Sequence, residues 1–372
     1  MKEKKEKIKY YSTENIDKTH AHYRMIYGER SNGKTYAVLS LIVENYIKNH
    51  KQGALIRRHQ EDFKGKRGQQ MFANHVANGL VKKLTKGKWD DITYRSSQWF
   101  LSKWDDVLNK RVLDSVPMCY GFSLGQMEHD KSTGYPNITI TLFDEFISRS
   151  SYLTDEFVLY MNVLSTIIRE RKDVINYMCG NSINMYSPYF QEMGITNIKK
   201  QKKGTIDIYH YGKSDLVVAV EYSDSPSKKG KESDVYFAFN NPKLQTITSG
   251  EWELAFYPHL PKEYTKEQII FTYFIIWDNE TLQCEIIDDE DGAFTYIHRK
   301  TSPIRHKDDV VFSVEFSENP YHFRTLTRPN TKLERNILEF FLKGKVFYQT
   351  NEVGEVVRNY LQWSENASFI VN

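Results

Sequence analysis

Residues Gly28-Glu29-Arg30-Ser31-Asn32-Gly33-Lys34-Thr35 form a complete GxxxxGKT sequence. In such a loop the glycines free backbone N–H groups to point at phosphate oxygens, the lysine neutralises the β- and γ-phosphates, and the final hydroxyl reaches magnesium. The octapeptide therefore predicts a site for ATP and Mg2+, with Lys34 on the phosphates and Thr35 on the metal; the bland alternative is a glycine turn into a helix. A second candidate is Ile138-Thr139-Ile140-Thr141-Leu142-Phe143-Asp144-Glu145, an apolar strand ending in two carboxylates. Asp144 would hold magnesium through water and Glu145 would polarise the attacking water. A hydrophobic strand ending in Asp-Glu is more often structural when it stands alone, and the intact phosphate loop is what favours catalysis here.

Three further features are two-sided. Arg169 and Arg171, within IIRERKD, either complement a helix C-terminus or supply an arginine finger to a neighbouring subunit's ATP. Asn181 follows an apolar strand, where it would sense the γ-phosphate or orient water, although Gly180-Asn181 is also an ordinary turn. Basic clusters at Arg57-Arg58-His59, Lys64 to Arg67, Lys82 to Lys88, Lys199 to Lys203 and Lys228 to Lys231 each read singly as solvated faces; several together on a ring could line a channel for a polyanion.

These residues need a scaffold with strands that end together. From Tyr23 to Ile195 short apolar runs alternate with helical periods, which predicts a mostly parallel sheet with crossover helices. Strands are expected at Tyr23 to Tyr27, Gly53 to Arg57, Ile138 to Phe143 and Val174 to Cys179. Helices are expected at Lys34 to Ile47, with Ala37, Val38, Leu41 and Ile42 facing the core, and at Thr154 to Arg171, with Thr154 as N-cap. Ile92 to Leu124 reads as antiparallel strands, and Thr205 to Tyr222 adds more. The Pro/Gly-punctuated run SDSPSKKGKESD has linker composition. The expected division is a P-loop nucleotide domain at 1–222, a linker region at 223–262 and a small α+β domain at 263–372. In the last, strands at 269–277, 282–287 and 310–316 precede helices at Leu333 to Leu342 and Asn351 to Leu361.

Composition narrows the classes. The chain has 372 residues with 51 basic and 48 acidic side chains, so a nucleic-acid footprint would have to be local. Cys119, Cys179 and Cys284 have no CxxC spacing, which argues against a disulfide framework or zinc site and for a reducing compartment. The N-terminus lacks the apolar core of a signal peptide, and apolar runs such as Ile269 to Trp277 are too short for a bilayer, so no membrane partner is expected.

The ordered blocks GERSNGKT, ALIRRH, HDKSTGYPN-ITITLFDEF, IIRERKDV and CGNSINMYSPYF resemble the small, terminase-like genome-packaging ATPases of phi29-type tailed phages. The resemblance covers the first domain well and the C-terminal region mainly through EVVRNYL. It implies an α/β P-loop ATPase with an added catalytic glutamate, assembled as a pentameric ring that drives double-stranded DNA into a prohead. The partners implied are the portal (connector) and a structural packaging RNA, with action in the host cytoplasm and transiently at the portal vertex. It assigns Lys34, Thr35 and the rest of Gly28, Glu29, Arg30, Ser31, Asn32 and Gly33 to nucleotide binding, Asp144 to metal and Glu145 to water activation. Asn181 becomes the sensor, Arg169 the trans-acting finger, Lys131 a second basic residue reaching across the interface, and Arg57 a further arginine near the nucleotide. The C-terminal domain is implied to be a ribonuclease-H-like fold that has lost its nuclease site, in keeping with a strand 269–277 that carries no acid. Asp288-Asp289-Glu290-Asp291 reads as a solvated loop, and Arg299, Lys300, Arg305 and Lys307 as candidate contacts to nucleic acid. The alternatives are another ring ATPase such as a helicase, or a nucleotide-gated scaffold without turnover.

Overall fold

The computed structural model describes residues 10–125, 134–148, 152–182, 184–224, 255–260, 262–290 and 292–367. It divides into two compact units between Glu253 and Leu254. The expected site residue Lys131, most of the SDSPSKKGKESD run, the Lys228 to Lys231 cluster and Asp291 lie outside the described residues.

The first unit is a mixed α/β structure around a large, mostly parallel sheet. Its strands are β1 (Tyr23–Gly28), β2 (Gln52–Arg57), β3 (Asp91–Arg95), β4 (Gln98–Asp105), β5 (Lys110–Leu113), β6 (Cys119–Ser123), β7 (Ile138–Asp144), β8 (Ile175–Asn181), β9 (Ile206–His210) and β10 (Val217–Ser223). Their order is β3-β4-β6-β2-β7-β8-β1-β10-β9, with β5 paired to β4. The central run β6-β2-β7-β8-β1-β10 is parallel throughout. Strands buried on both faces read as mostly apolar runs, and β1, β2, β7, β8 and β10 do, with Arg24, Thr141, Asn176 and Glu221 among their buried polar residues.

One face is covered by helix α2 (Lys34–Asn49), after a short α1 (Glu14–Asp17). Val38, Leu39, Ile42, Val43 and Tyr46 are buried there. Val38 and Ile42 are as expected; Ala37 and Leu41 are only partly buried. Leu39 and Val43 are buried instead, and Leu41 packs at the margin of the same core, because the helix carries apolar residues over a wider arc than one stripe. Short helices α3 (Lys66–Gln70), α4 (Ala73–Ala77) and α5 (Leu80–Leu84) follow β2, in a stretch for which no element was expected. The Lys64 to Arg67 and Lys82 to Lys88 cations there are exposed. The region 92–124 is antiparallel through β3, β4 and β5, but β6 also joins the parallel core beside β2.

The other face is covered by α6 (Glu156–Ile168) and α7 (Pro188–Glu192), with Tyr160, Val163, Leu164, Ile167, Tyr189 and Phe190 in the core. Thr154 is not the N-cap of α6. Asp155 takes that position at φ 52°, and the helix stops at Ile168.

The second unit holds a mixed sheet ordered β15-β14-β11-β12-β13-β16, from β11 (Ile269–Trp277), β12 (Glu280–Ile287), β13 (Phe294–Arg299), β14 (Val310–Ser313), β15 (His322–Phe323) and β16 (Val346–Tyr348). β11, β12 and β13 form an antiparallel meander, and β14 lies parallel to β11. Helix α8 (Lys332–Leu342) begins with a Thr331–Glu334 capping box, and α9 (Asn351–Ala367) packs on β11, β13 and β16. Gly354 lets α9 lie against the Tyr257 ring, with which any Cβ there would collide. Among the described residues no helix is long and apolar enough to cross a membrane.

On β12, Glu285 accepts hydrogen bonds from Tyr264 at 2.5 Å and Gln283 at 2.6 Å and pairs with His298 at 3.6 Å. Burial works against its charge, but His298, Tyr264 and Gln283 outweigh burial and hold its pKa down to about 2. The Glu285 hydrogen bond raises that of His298 above its ordinary 6.5. The Glu285 contribution to stability is lost as pH falls from 4.5 toward 2, and that of His298 as pH rises above 6.5. We predict that the wild-type chain loses more stability than His298→Gln between about pH 6 and about pH 8, by about 1 kcal/mol or less. Parallel melting-temperature profiles would contradict this.

Candidate active site

Parallel register brings the chemistry-bearing residues to one sheet edge. Gly28 at the end of β1 pairs across with Asn181 on β8 and Ser223 on β10, and Asp144 ends β7 beside Cys179. Arg57 ends β2 opposite Ser123. In open parallel sheets this carboxyl edge is where ligands bind.

The loop between β1 and α2 is shaped by backbone that ordinary residues avoid: Gly28 has φ 149°, Ser31 56° and Gly33 97°. Gly28 is also required by contact, because a Cβ there would collide with the Ser223 hydroxyl and come within 2.9 Å of its carbonyl oxygen. Ser223 in turn accepts from the Asn32 amide at 3.0 Å and donates to the Tyr27 carbonyl at 2.9 Å, fastening loop to sheet. The Lys34 ammonium lies in the loop, donating to the Glu29 carbonyl at 2.5 Å and to Asn32 Oδ1 at 3.1 Å, with Asn181 Oδ1 at 3.5 Å. Asn181 is the last residue of a strand, not part of a turn. The Glu29 side chain, buried within the loop, is paired with Lys203. Arg30 and Ser31 are exposed.

The Thr35 hydroxyl donates to Asp144 Oδ1 at 2.7 Å. A hydroxyl and a carboxylate oxygen this close, opening from a helix N-terminus and a strand end, suit a small hard cation that binds oxygen. Arg57 now supplies positive charge there, at 2.6 Å from Asp144 Oδ2 and 2.9 Å from Glu145 Oε2. Asp144 is buried, whereas the Glu145 side chain is 64% exposed. Glu145 stands at φ 62°, which for a residue with a side chain costs about 1–3 kcal/mol and persists only where neighbours over-determine it. Its N–H donates to the Cys179 carbonyl at 2.8 Å.

Arg58 leaves the strand end in the opposite direction from Arg57. It forms two hydrogen bonds to the fully buried carboxylate of Glu156, at 2.7 and 2.8 Å, and donates to the carbonyls of Glu145 and Phe146 at 3.2 Å each. Burial works against its charge, but the Glu156 carboxylate more than compensates and raises its pKa. Near the loop, Tyr11 donates to the buried Glu221 carboxylate at 2.6 Å and its N–H to the Asn32 carbonyl at 3.0 Å. Burial raises the Glu221 pKa, against the Tyr11 hydrogen bond, which lowers it.

The structure thus gathers Gly28 to Thr35, Arg57, Asp144, Glu145 and Asn181. Arg169 lies elsewhere, as the C-cap of α6 at φ 51°. Arg171 is committed locally, donating to the carbonyls of Ile138 at 2.7 Å and Ile167 at 3.0 Å. The reading of Arg57-Arg58-His59 as a solvated basic face is wrong for its two arginines, which are 13% and 10% exposed and engaged with carboxylates. Sequence reasoning missed Glu156, Glu221 and Ser223. A lone acid opening an apolar helix, or sitting inside an apolar strand, was the available signal for the first two.

Fold and site define an α/β protein whose mostly parallel sheet gathers a glycine loop, a lysine and paired carboxylates at its carboxyl edge. The chain belongs to the family of Podovirus DNA encapsidation proteins (Gp16), whose model matches residues 5–231. It is 26% identical over 179 residues to the DNA packaging protein of Bacillus phage B103, covering 46% of this chain and 47% of that one. To the DNA packaging protein of Bacillus phage phi29 it is 25% identical over 170 residues, 44% of each. The chain spans about half the length of the curated relatives it matches. Its fold is similar to that in the Phi-28 gp11 DNA packaging motor, with a TM-score of 0.52 at 18% identity over 98% of this chain and 99% of that one. It is also similar to that in the bacteriophage Phi-29 genome packaging motor assembly, with a TM-score of 0.53 at 16% identity over 96% and 99%.

Gly28→Ala should lower unfolding free energy by about 1–3 kcal/mol in urea titration, since the Cβ must displace Ser223. Ser223→Gly in the same chain should recover part of the loss. Unchanged stability in the single variant would show that the loop does not need the contact.

Proposed function

We propose that this chain is the ATP-hydrolysing subunit of a ring-shaped oligomeric motor that drives double-stranded viral DNA into a prohead. The observation that carries the reading is the convergence of Lys34, Thr35, Asp144 and Glu145 at one sheet edge, in a chain of the encapsidation family. Lys34 and the loop N–H groups bind the phosphates of ATP, Thr35 and Asp144 hold Mg2+, and Glu145 takes a proton from the attacking water. Bound Mg2+ offsets charge on the phosphate oxygens. Arg57 sits on Asp144 Oδ2, so the Oδ1 side facing the Thr35 hydroxyl is the one that would take the cation. Asn181, already within reach of Lys34, senses the γ-phosphate.

Arg169 acts in trans on a neighbour's ATP, together with Lys131, so that hydrolysis is completed between subunits of a pentamer. DNA, the prohead portal and a structural packaging RNA are the partners, and the motor works at the portal vertex in the infected host's cytoplasm. The domains are a P-loop motor at 1–222, a linker at 223–262 and a ribonuclease-H-like domain at 263–372. An antiparallel three-strand meander with a fourth strand parallel to its first supports the last assignment. β11 and β14 carry no carboxylate, which supports loss of the nuclease.

DNA should stimulate ATP turnover. Arg169→Ala subunits mixed with Glu145→Ala subunits should recover hydrolysis that neither shows alone, and no recovery at any ratio would remove trans catalysis from the reading. The full chain should leave DNA uncut in magnesium or manganese. Cleavage abolished by Asp288→Ala with Asp289→Ala would overturn that expectation.

A further inference from the structure

Glu145 presents a problem that the residues assigned so far do not solve. Its side chain is largely exposed, its backbone is in the left-handed region, and its neighbour Asp144 is the last residue of the strand. A water-activating carboxylate must nevertheless be held to within a fraction of an ångström. The Cys179 carbonyl fixes the N–H side of the turn, accepting from Glu145 at 2.8 Å and Phe146 at 3.3 Å. The carbonyl side is fixed by one residue, Arg58, whose two terminal nitrogens reach the Glu145 and Phe146 oxygens.

We propose that Arg58 and Glu156 are positioning residues for catalysis: together they form a buried clamp that holds the Glu145 turn in its reactive conformation. Resting on the ATPase reading above, the proposal gives a role to two charged residues that touch neither phosphate nor metal. Arg58 can serve because its planar guanidinium divides its donors, Nε and one terminal nitrogen engaging Glu156 while the terminal nitrogens also reach the two carbonyls. Glu156 can serve because its own freedom is gone. It is fully buried, accepts from the Tyr189 hydroxyl at 2.7 Å and the Leu153 N–H at 2.7 Å, and sits in the first turn of α6. The Tyr152 ring lies 5.2 Å beneath the guanidinium and its hydroxyl accepts from the Ser148 N–H at 3.1 Å, closing the loop after Glu145 onto the same clamp. A buried ion pair is a weak source of net stability. Four polar groups on one buried carboxylate instead fix a geometry, and the geometry fixed here is the backbone of Glu145.

The clamp predicts a loss in turnover, not in ATP binding. Arg58→Lys keeps the charge but cannot span Glu156 and both carbonyls, so kcat should fall at least about 30-fold while KM and the affinity for a fluorescent ATP analogue stay within about two-fold. Because a buried pair broken on one side can unfold a domain, the paired change Arg58→Met with Glu156→Leu serves as the second test. It replaces the ions by apolar groups of similar size, which is often neutral for folding, yet removes both carbonyl donors. It should stay folded, melting below the wild type because the Tyr189 hydroxyl and the Leu153 N–H lose their acceptor, and show the same kcat defect. In a Glu145→Gln background, where the carboxylate is already gone, Arg58→Lys should cost no further turnover. Variants that turn over normally, or an Arg58→Lys defect that persists undiminished in the Glu145→Gln background, would overturn the clamp. A wild-type chain that binds ATP but never hydrolyses it would instead remove the ATPase reading.

Discussion

Asp144 is a buried carboxylate at the end of a strand buried on both faces, and the exposed carboxylate of Glu145 follows it directly, so the charge that must find partners inside the protein is that of Asp144. Much of the surrounding structure answers that constraint. Thr35 donates to Asp144 from the first turn of α2, and Arg57 bridges both acids from the neighbouring strand. Each partner arrives only because β2 and β7 run parallel in a register that ends them together, and because the glycine loop delivers α2 to the same edge. The same register places Asn181 beside Lys34 and Ser223 beneath Gly28.

Much of this was legible in the sequence, for reasons that are physical. A strand buried on both faces favours apolar and β-branched side chains, so 138–143 and 174–179 announced themselves, although Thr141 and Asn176 pair with each other inside. A loop of GxxxxGKT type has few other uses. The helix from Lys34 was found, but its buried face was assigned one residue out, because Ala37 and Leu41 widen the apolar arc and leave its centre ambiguous. The stretch 64–89 gave no signal, since five-residue helices are too short to show a period. Arg57 and Arg58 illustrate the sharper limit. Two adjacent arginines read as a solvated charge run, and only the fold reveals that each has a carboxylate waiting, Asp144 for one and Glu156 for the other. Pairs separated by 87 and 98 positions leave no mark on local spacing.

The second unit is organised differently. Its meander and its α9 contact are apolar, with Tyr273, Leu282, Cys284, Ile297, Val356 and Tyr360 buried. Within it the buried Glu285 is satisfied by Tyr264, Gln283 and His298. Among the described residues no group of three or more His, Cys, Asp or Glu side chains could hold a metal ion.

Helix α6 opens with Glu156 and is capped by Arg169. Thirteen residues of α-helix span about 20 Å and neither stretch nor compress appreciably. The helix is therefore a spacer of set length. One end is bolted through Arg58 to the turn that carries Glu145, and the other carries a guanidinium, so the distance between these two charges is written into the number of residues between them.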